Sequence, residues 1–363
     1  MYVRVSIDRL TAAALPLLVL AFILLASLAL SPVSAFALGI PAMVKDIAPG
    51  SAASTPDIFL PVGNKLFFVS NDFVVGVEPW VSDGTPAGTT LLKDVWAGPG
   101  DGSCPGAISI AGTVYFCAYD GSNGSQLWRT DGTTAGTMKV YSGSTASDLT
   151  NVGGSIYFAG TPIGEYLAFL YRSDGTAGGT VQVTTSTYPA GRDITDVNGT
   201  AFFPASDGVT GVEIWKTDGT AGGTSLVKDL APGGADSYAQ SLTNVGGTLF
   251  FKASNGTIFG LFKSDGTGPG TVLVKALSMP PDNLVDADGT VFLIGIDPAY
   301  GAELWKSDGT TAGTVMVKDI YPGAGGGLSG SSLVAIGSVV YFSANDAAHG
   351  AELWKSDGTE AGT

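Results

Sequence analysis

The chain has 363 residues, of which 45% are hydrophobic and only 13% charged, and its formal net charge is −15. A chain this acidic repels phosphate backbones, which excludes nucleic acid as a partner. The 53 glycines, the few charges and the many short apolar runs indicate an all-β protein with tight turns and exclude a mainly helical one.

The N-terminal segment differs in kind from the rest of the chain. Arg4 and Arg9 precede an apolar run over residues 10–30, and Ala37 ends an Ala-x-Ala sequence of the kind that signal peptidase cleaves. We therefore predict a signal peptide over residues 1–37, cleaved after Ala37, and a secreted or cell-surface protein. The alternative is an uncleaved membrane anchor, because an apolar run of this length could just span a bilayer.

One sequence unit, Asp-Gly-Thr-x-x-Gly-Thr, recurs seven times, and each copy follows a hydrophobic segment that ends near an aromatic residue. A period of 43 to 49 residues predicts a repeat architecture, in which one supersecondary unit recurs and no unit buries its apolar face alone. The aspartates of the seven copies are Asp83, Asp131, Asp174, Asp218, Asp265, Asp308 and Asp357.

Each unit contains four short segments joined by turns, which is typical of an antiparallel meander. Seven such sheets around an axis make a β-propeller. We therefore predict an all-β fold, a single seven-bladed β-propeller of four-stranded antiparallel blades over residues 38–363.

The two ends of the repeat region predict how the ring closes. Residues 43–47, Met-Val-Lys-Asp-Ile, match a fourth strand with no partners before them, and the sequence stops at Thr363, where another fourth strand would begin. We expect residues 43–47 to pair with residues 350–357 and close the ring. The alternative is a truncated repeat protein with further units beyond Thr363.

Cys104 and Cys117 are the only cysteines of the chain, and His349 is its only histidine. The two cysteines flank a turn between strands that would bring them diagonally close, and an exported protein meets an oxidising environment, so we predict a local disulfide. Two cysteines without a group of histidines make a poor metal site.

Residues 302–310 and 351–359, both Ala-Glu-Leu-Trp-Lys-Ser-Asp-Gly-Thr, resemble the ELWxxDGT repeat of large bacterial surface and secreted proteins. The resemblance covers residues 43–363 and implies no particular reaction. In three units the Glu of this pattern is replaced, by Gln126, by Ala168 or Phe169 depending on register, and by Gly260. These replacements argue against an obligatory chemical role for Glu in the other units, at Glu78, Glu213, Glu303 and Glu352.

The seven aspartates are predicted to be structural, because Asp-Gly at a strand end is turn chemistry: the carboxylate accepts nearby N–H groups and Gly takes the positive φ. The alternative is that each ligates a cation. The aromatic residue before each turn is predicted to fill the space between neighbouring sheets, with a sugar-binding platform as the alternative. These residues are Trp80, Trp128, Tyr171, Trp215, Phe262, Trp305 and Trp354.

The loops after the second and fourth segments vary in length and chemistry, and binding is usually carried by variable loops on a rigid scaffold. A rim of carboxylates and aromatic rings could bind a glycan or a protein, or Ca²⁺ through oxygen ligands; the alternative is that these are ordinary loop formers. The candidate ligand-binding residues are Asp72, Trp96, Asp120, Asp207, Tyr238, Asp297, Tyr300, Asp346 and His349.

Known catalytic motifs are missing from the sequence, which has no His-Glu-x-x-His, no Gly-x-Ser-x-Gly and no phosphate-binding Gly pattern. We therefore predict an exported, monomeric, non-catalytic module that presents its variable loops to an extracellular glycan or protein, or a purely structural surface component. It would need no cofactor, and it would meet a membrane only through an uncleaved N-terminal segment. The enzymatic alternative is a glycoside hydrolase or polysaccharide lyase that uses loop carboxylates.

Overall fold

A computed structural model describes residues 42–187, 193–328 and 332–363, with the backbone alone at positions 103–105. The regular structure in these ranges consists of β-strands, which confirms the all-β prediction. No helix in the described ranges is long and apolar enough to cross a membrane. The signal peptide predicted over residues 1–37 lies outside the described residues.

We number the repeats 1 to 7 by their Asp turns, from Asp83 to Asp357. The strands of repeats 1 to 4 are β1 Asp57–Val62, β2 Lys65–Asn71, β3 Val77–Ser82, β4 Thr90–Leu91, β5 Ser103–Ile110, β6 Thr113–Tyr119, β7 Ser125–Thr130, β8 Met138–Tyr141, β9 Thr145–Val152, β10 Ser155–Thr161, β11 Phe169–Ser173, β12 Val181–Thr187, β13 Thr195–Val197, β14 Thr200–Ser206, β15 Val212–Thr217 and β16 Ser225–Lys228. Those of repeats 5 to 7 are β17 Gln240–Val245, β18 Thr248–Ser254, β19 Phe259–Ser264, β20 Val272–Ala276, β21 Asp282–Ala287, β22 Thr290–Asp297, β23 Gly301–Ser307, β24 Val315–Lys318, β25 Val334–Ile336, β26 Val339–Asn345 and β27 Ala351–Ser356.

Strands pair antiparallel within each repeat, in chain order. Repeats 1, 2, 5 and 6 each form a four-stranded sheet, and repeat 7 forms a three-stranded one. Repeats 3 and 4 are joined into one eight-stranded sheet by a single bridge between Thr187 and Ser206. The first hairpin of each repeat turns tightly, as at Gly246 and Gly247, whose φ angles of 57° and 84° require residues that tolerate positive φ.

The core lies between neighbouring sheets. Among the described residues, the buried apolar side chains form six clusters, and each cluster draws its members from two consecutive repeats. Between repeats 3 and 4, for example, Leu170 packs in the same cluster as Phe203, and both are fully buried. Each sheet therefore depends on the next for burial of its faces, as the repeat period predicted.

The first strand of every repeat contacts the first strand of the next one, in the order β1, β5, β9, β13, β17, β21, β25. This radial order of meanders is that of a β-propeller. Residues 45–363 form one compact unit, whereas the unit of residues 1–44 lies almost wholly outside the described ranges.

The predicted ring closure is not seen. Residues 43–47 form no strand, and β27 is the edge strand of the sheet of repeat 7. Leu353 in β27 is 80% exposed, whereas its equivalent in repeat 6, Leu304, is fully buried by the following repeat. The pairing of residues 43–47 with residues 350–357, and with it the blade count of the closed ring, stays a prediction.

Candidate functional site

One hydrogen-bond pattern closes all seven Asp turns. In repeat 4 the carboxylate of Asp218 accepts hydrogen bonds from the N–H of Thr220 at 2.9 Å and from its hydroxyl at 2.7 Å. The hydroxyl oxygen of Thr220 accepts the N–H of Gly223 at 3.0 Å, and Thr224 donates its hydroxyl to the Thr220 carbonyl at 2.7 Å. Hydrogen bonding by Thr220 holds the pKa of Asp218 below its usual value. The carboxylate is thus engaged inside its own turn, which supports the structural interpretation.

The other six turns repeat these contacts, and the same hydrogen bonds lower the pKa of each carboxylate. Their aspartates are Asp83, Asp131, Asp174, Asp265, Asp308 and Asp357.

A second set of carboxylates is buried where the third strand of a repeat passes the loop that follows the fourth. Glu78, Glu213 and Glu303 are completely inaccessible to solvent. Glu78 accepts the backbone N–H groups of Val95 at 2.9 Å and Trp96 at 3.1 Å. Loss of hydration raises the pKa of Glu78 and of Glu213 to about 7, and it also raises the pKa of Glu303. The same N–H contacts are made to Glu213 by Leu230 and Ala231, and to Glu303 by Ile320, Tyr321 and Gly327.

The sequence contained a signal for this role that the motif comparison missed. The three repeats with a buried Glu all have Lys-Asp followed by Val, Leu or Ile in and after the fourth strand. The repeats with Gln126, Phe169 or Gly260 at the Glu position all lack this Lys-Asp pair. Strand pairing shows that Phe169, and not Ala168, holds the Glu position in repeat 3. The buried Glu and the Lys-Asp sequence that precedes the loop it binds are therefore present in the same repeats and absent from the same repeats.

The candidate loop aspartates each close their own loop. In repeat 4, Asp207 accepts the N–H groups of Val209 at 2.9 Å and Thr210 at 2.8 Å, which lowers its pKa. Such bonds to N–H groups two or three residues further on are also made by Asp72, Asp120, Asp297 and Asp346. The five residues belong to five different repeats: four lie in the loop after the second strand, and Asp297 is the last residue of the second strand β22. Within the described ranges there is no group of three or more His, Cys, Asp or Glu side chains placed to hold a metal ion.

Two of these aspartates also form ion pairs, one of them exposed and one partly buried. Asp346 lies 2.7 Å from Nδ1 of His349, and this contact lowers the pKa of Asp346 to about 2 and raises that of His349. Asp120 pairs with Lys139 of β8. The first pair ties a loop to itself, and the second ties a loop to the strand beside it.

The candidate aromatic residues are divided between packing and exposure. The ring of Trp96 lies edge-on to Tyr119 of repeat 2, with centroids 4.8 Å apart, so it bridges two repeats. Tyr300 is 43% exposed in a loop of repeat 6. Tyr238 is 55% exposed, and its ring lies 6.2 Å from the ring of Phe259.

The Tyr238 side chain forms one wall of a cavity of about 280 Å³, which we call the Tyr238 pocket. Phe259 faces it, and Lys252 lies at the side, where its ammonium is 3.1 Å from the carboxylate of Asp282. The pocket therefore combines two aromatic rings with an ion pair at its edge. Its lining is completed by Gln240, Ala253 and Pro280.

The two cysteines lie on neighbouring strands. Cys104 is in β5 and Cys117 in β6, and these strands pair antiparallel. The sulfur of Cys117 lies 2.9 Å from the carbonyl oxygen of Ala146 in repeat 3. The side chain of Cys104 lies outside the described residues, and the disulfide stays a prediction.

No protein-family model matches the chain, and no curated protein matches it. The resemblance to the ELWxxDGT repeat family therefore stays a prediction. Solved structures do match. Prolyl oligopeptidase B from Galerina marginata, solved with a 35mer hydrolysis and macrocyclization substrate, is similar with a TM-score of 0.50 and 12% identity over 84% of this chain and 48% of that one.

Two further structures are similar at lower TM-scores. A puromycin hydrolase has a TM-score of 0.45 and 13% identity over 86% of this chain and 53% of that one. The β-propeller domain of the Trilobed protease from Pyrococcus furiosus has a TM-score of 0.43 and 11% identity over 83% of this chain and 94% of that one. The chain spans about half the length of the first two proteins.

These comparisons agree with the β-propeller fold derived from the strand order, and they correct the functional prediction. The sequence led us to expect an exported binding or structural module for a glycan or protein ligand, with a glycoside hydrolase or lyase as the alternative. The prediction is wrong, because prolyl oligopeptidase B, whose structure matches the chain, is a peptidase. Within the described residues, the chain is an all-β protein of antiparallel sheets, most of them four-stranded, with a β-propeller fold.

Proposed function

We propose that this chain is a non-catalytic β-propeller domain that binds peptide segments for hydrolysis by a separate catalytic unit. The Tyr238 pocket is the observation that carries the proposal. The prolyl oligopeptidase B structure, which contains a 35mer substrate, suggests peptide as the ligand class.

The Tyr238 pocket suits one side chain of a peptide. At about 280 Å³ it is just below the range of about 300 to 1,000 Å³ that whole small ligands occupy. Of its lining residues, Tyr238 and Phe259 are 55% and 37% exposed, and an exposed apolar patch with polar groups beside it marks an interaction site. The Lys252–Asp282 ion pair supplies a donor and acceptors for the N–H and C=O groups of a peptide backbone.

The carboxylates of the described residues support the non-catalytic part of the proposal. The turn aspartates, the three buried Glu residues and the loop aspartates all accept backbone N–H groups of the chain itself. General acid or base catalysis needs a group that reaches the substrate. A carboxylate that accepts hydrogen bonds from the backbone of its own chain stabilises the fold instead.

A peptide panel tests the proposal. Fluorescein-labelled decapeptides that differ only in a central Phe, Leu, Ala or Asp would be titrated into the chain and followed by fluorescence anisotropy. We expect saturable binding that favours central Phe and falls at least tenfold in Tyr238→Ala, while Tyr300→Ala, an exposed loop tyrosine of another repeat, binds as the unmodified chain does. Absence of saturable binding, or equal loss in both variants, would contradict the peptide site. Peptide cleavage that copurifies with the chain would contradict the non-catalytic assignment.

The same proposal includes a closed ring of seven blades, and Lys45 supports it. Four repeats have Glu at the same position of the third strand, and the fourth of them is repeat 7 with Glu352. The chain also has four Lys-Asp sequences, three in the repeats with a buried Glu and one at residues 45–46. Lys45 donates to the carbonyl of Thr89 at 2.7 Å, as Lys93 of repeat 1 does to Thr137 of repeat 2 at 3.2 Å. Lys45 of the N-terminal segment therefore contacts repeat 1 in the same way as Lys93, at the end of repeat 1, contacts repeat 2. In the closed ring, Glu352 accepts the N–H groups of Ile47 and Ala48.

A further inference from the structure

At four places in the repeat series a lysine occupies an equivalent position on the next repeat, which we call a lysine seat; two of these lysines end a fourth strand, Lys93 follows one, and Lys45 lies in the N-terminal segment. In each case its ammonium donates to the carbonyl of the Thr that ends the next Asp turn. At three of these seats the ammonium also lies over the tryptophan of that repeat, 5.6 to 6.0 Å from the ring centroid. The four pairs are Lys45 with Thr89, Lys93 with Thr137, Lys228 with Thr271 and Lys318 with Thr363, at 2.7, 3.2, 2.7 and 2.6 Å.

Between repeats 3 and 4 this seat has no lysine. Lys93, Lys228 and Lys318 each lie four residues after the Thr that ends the Asp turn of their own repeat. In repeat 3 that Thr is Thr180, and the residue four positions after it is Thr184. A threonine side chain is too short to reach across to the next repeat. A cavity of about 560 Å³ opens here, and its walls include Thr184, Trp215 and Thr224, the three residues that define the seat.

The state of Trp215 agrees with an unfilled seat. Trp80 and Trp128, which lie under Lys45 and Lys93, are each only 6% exposed. Trp215 is half-buried and forms a wall of the cavity. Trp354 is also half-buried although Lys318 lies over it, so the observation specific to Trp215 is that part of its side chain borders the cavity.

The charge of the cavity also favours a cation. Asp207 is its only charged lining residue among those described, and backbone N–H groups of Thr210 and Val209 lower its pKa, which keeps it ionised. The remaining polar groups in the lining are the neutral side chains of Gln182, Thr184, Thr185, Ser186 and Thr224. An indole ring and a carboxylate both attract an ammonium group, and Thr224 is the equivalent of the Thr whose carbonyl accepts the lysine in the other seats.

We infer that this cavity, the Trp215 seat, binds a primary alkylammonium group from outside the chain, and that its ligand is the lysine side chain of a bound peptide. The ammonium lies over Trp215 and donates to the carbonyl of Thr224, as the chain's own lysines do in the other seats. The identification of the source as a peptide rests on the proposed function, whereas the ammonium chemistry stands independently of it.

Calorimetric titration of the chain with n-pentylammonium chloride and with 1-pentanol tests the ammonium chemistry. We expect the ammonium to bind at least tenfold more tightly than the alcohol, with a change in the indole N–H resonance of Trp215. Equal affinity for the two probes, or no binding of the ammonium, would overturn the inference. A second titration with Nα-acetyl-lysine methylamide and its norleucine analogue tests the peptide source, because only the lysine compound should bind. Failure of decapeptides at the Tyr238 pocket would leave both titrations unaffected.

Variants locate the binding. Thr184→Lys fills the seat with the residue found at this position in repeats 1, 4 and 6, and it should abolish binding of the added ammonium while raising the melting temperature. Asp207→Asn keeps an acceptor for the loop N–H groups and should weaken binding at least threefold, whereas Asp346→Asn, its counterpart in repeat 7, should leave binding unchanged. If Thr184→Lys does not fold, Trp215→Leu provides the second check, with an expected loss of at least fivefold. Unchanged affinity in Thr184→Lys, or in both Asp207→Asn and Trp215→Leu, would show that the ammonium binds elsewhere.

Discussion

The carboxylate of Glu78 accepts a hydrogen bond from the backbone N–H of Val95 at 2.9 Å, and both residues are buried. This bond joins the third strand of repeat 1 to the loop that follows its fourth strand. A titratable side chain thereby holds the connection between two repeats, and Glu213 and Glu303 do the same in repeats 4 and 6.

Glu78→Ala should destabilise the chain strongly. The substitution leaves the buried N–H group of Val95 and the partly buried N–H group of Trp96 without their acceptor, and a buried group of this kind costs about 1 to 3 kcal/mol. We expect the free energy of unfolding in urea to fall by about 2 to 4 kcal/mol. Glu165→Ala, in an exposed loop of repeat 3, is the control and should change it by less than about 0.5 kcal/mol. Similar effects of the two substitutions would contradict the structural role of Glu78.

Stability should fall as the pH rises from about 4.5 through about 7. Burial raises the pKa of Glu78 and Glu213 to about 7, so the folded chain binds these protons more tightly than the unfolded chain does. The stabilisation is complete below the unfolded pKa near 4.5 and is lost through the folded pKa near 7. Urea unfolding between pH 4.5 and pH 8 measures this slope, and it should flatten in the Glu78→Gln, Glu213→Gln double variant. An unchanged slope in that variant would assign the pH dependence to other groups.

Gly223→Ala should disrupt an Asp turn. A Cβ atom at this position would lie 2.1 Å from a carboxylate oxygen of Asp218, so the hydrogen bonds that close the turn could not form. We expect a loss of about 1 to 3 kcal/mol in unfolding free energy. Gly222→Ala is the matched control, because a Cβ there meets no atom within 4 Å and its φ is not positive. That variant should be neutral or more stable by up to about 1 kcal/mol, and the prediction fails if the two substitutions have the same effect.

Glu352→Ala distinguishes a closed ring from an open one. In the closed ring Glu352 binds the N–H groups of Ile47 and Ala48, and its loss should cost as much as that of Glu78. In an open ring Glu352 is exposed, and the change should stay within about 0.5 kcal/mol. Amide hydrogen exchange provides a second readout: closure predicts slow exchange at Ile47 and Ala48 that becomes fast in Glu352→Ala. Fast exchange at both positions in the unmodified chain would contradict closure.

Local patterns were sufficient to predict the strands and turns. The Asp turn could be read from the sequence because every partner of Asp218 lies within six residues of it, so the spacing of Thr220, Gly223 and Thr224 specifies the hydrogen bonds. The all-β class followed from composition, since frequent glycines and short apolar runs favour tight turns between strands.

Contacts between repeats could not be read in this way. Glu78 looked dispensable because three units lack it, and its role depends on N–H groups 17 and 18 residues away that only the fold brings to it. The loop aspartates looked like a shared binding rim, yet the sheets hold them in separate repeats, where each binds its own loop. The Trp215 seat was also hidden in the sequence, because an unfilled space between Thr184 and the next repeat exists only once the sheets are packed. Hydrogen bonds between near neighbours are specified by residue spacing, whereas burial and cavities depend on how distant segments pack, and for this reason only the tertiary structure revealed them.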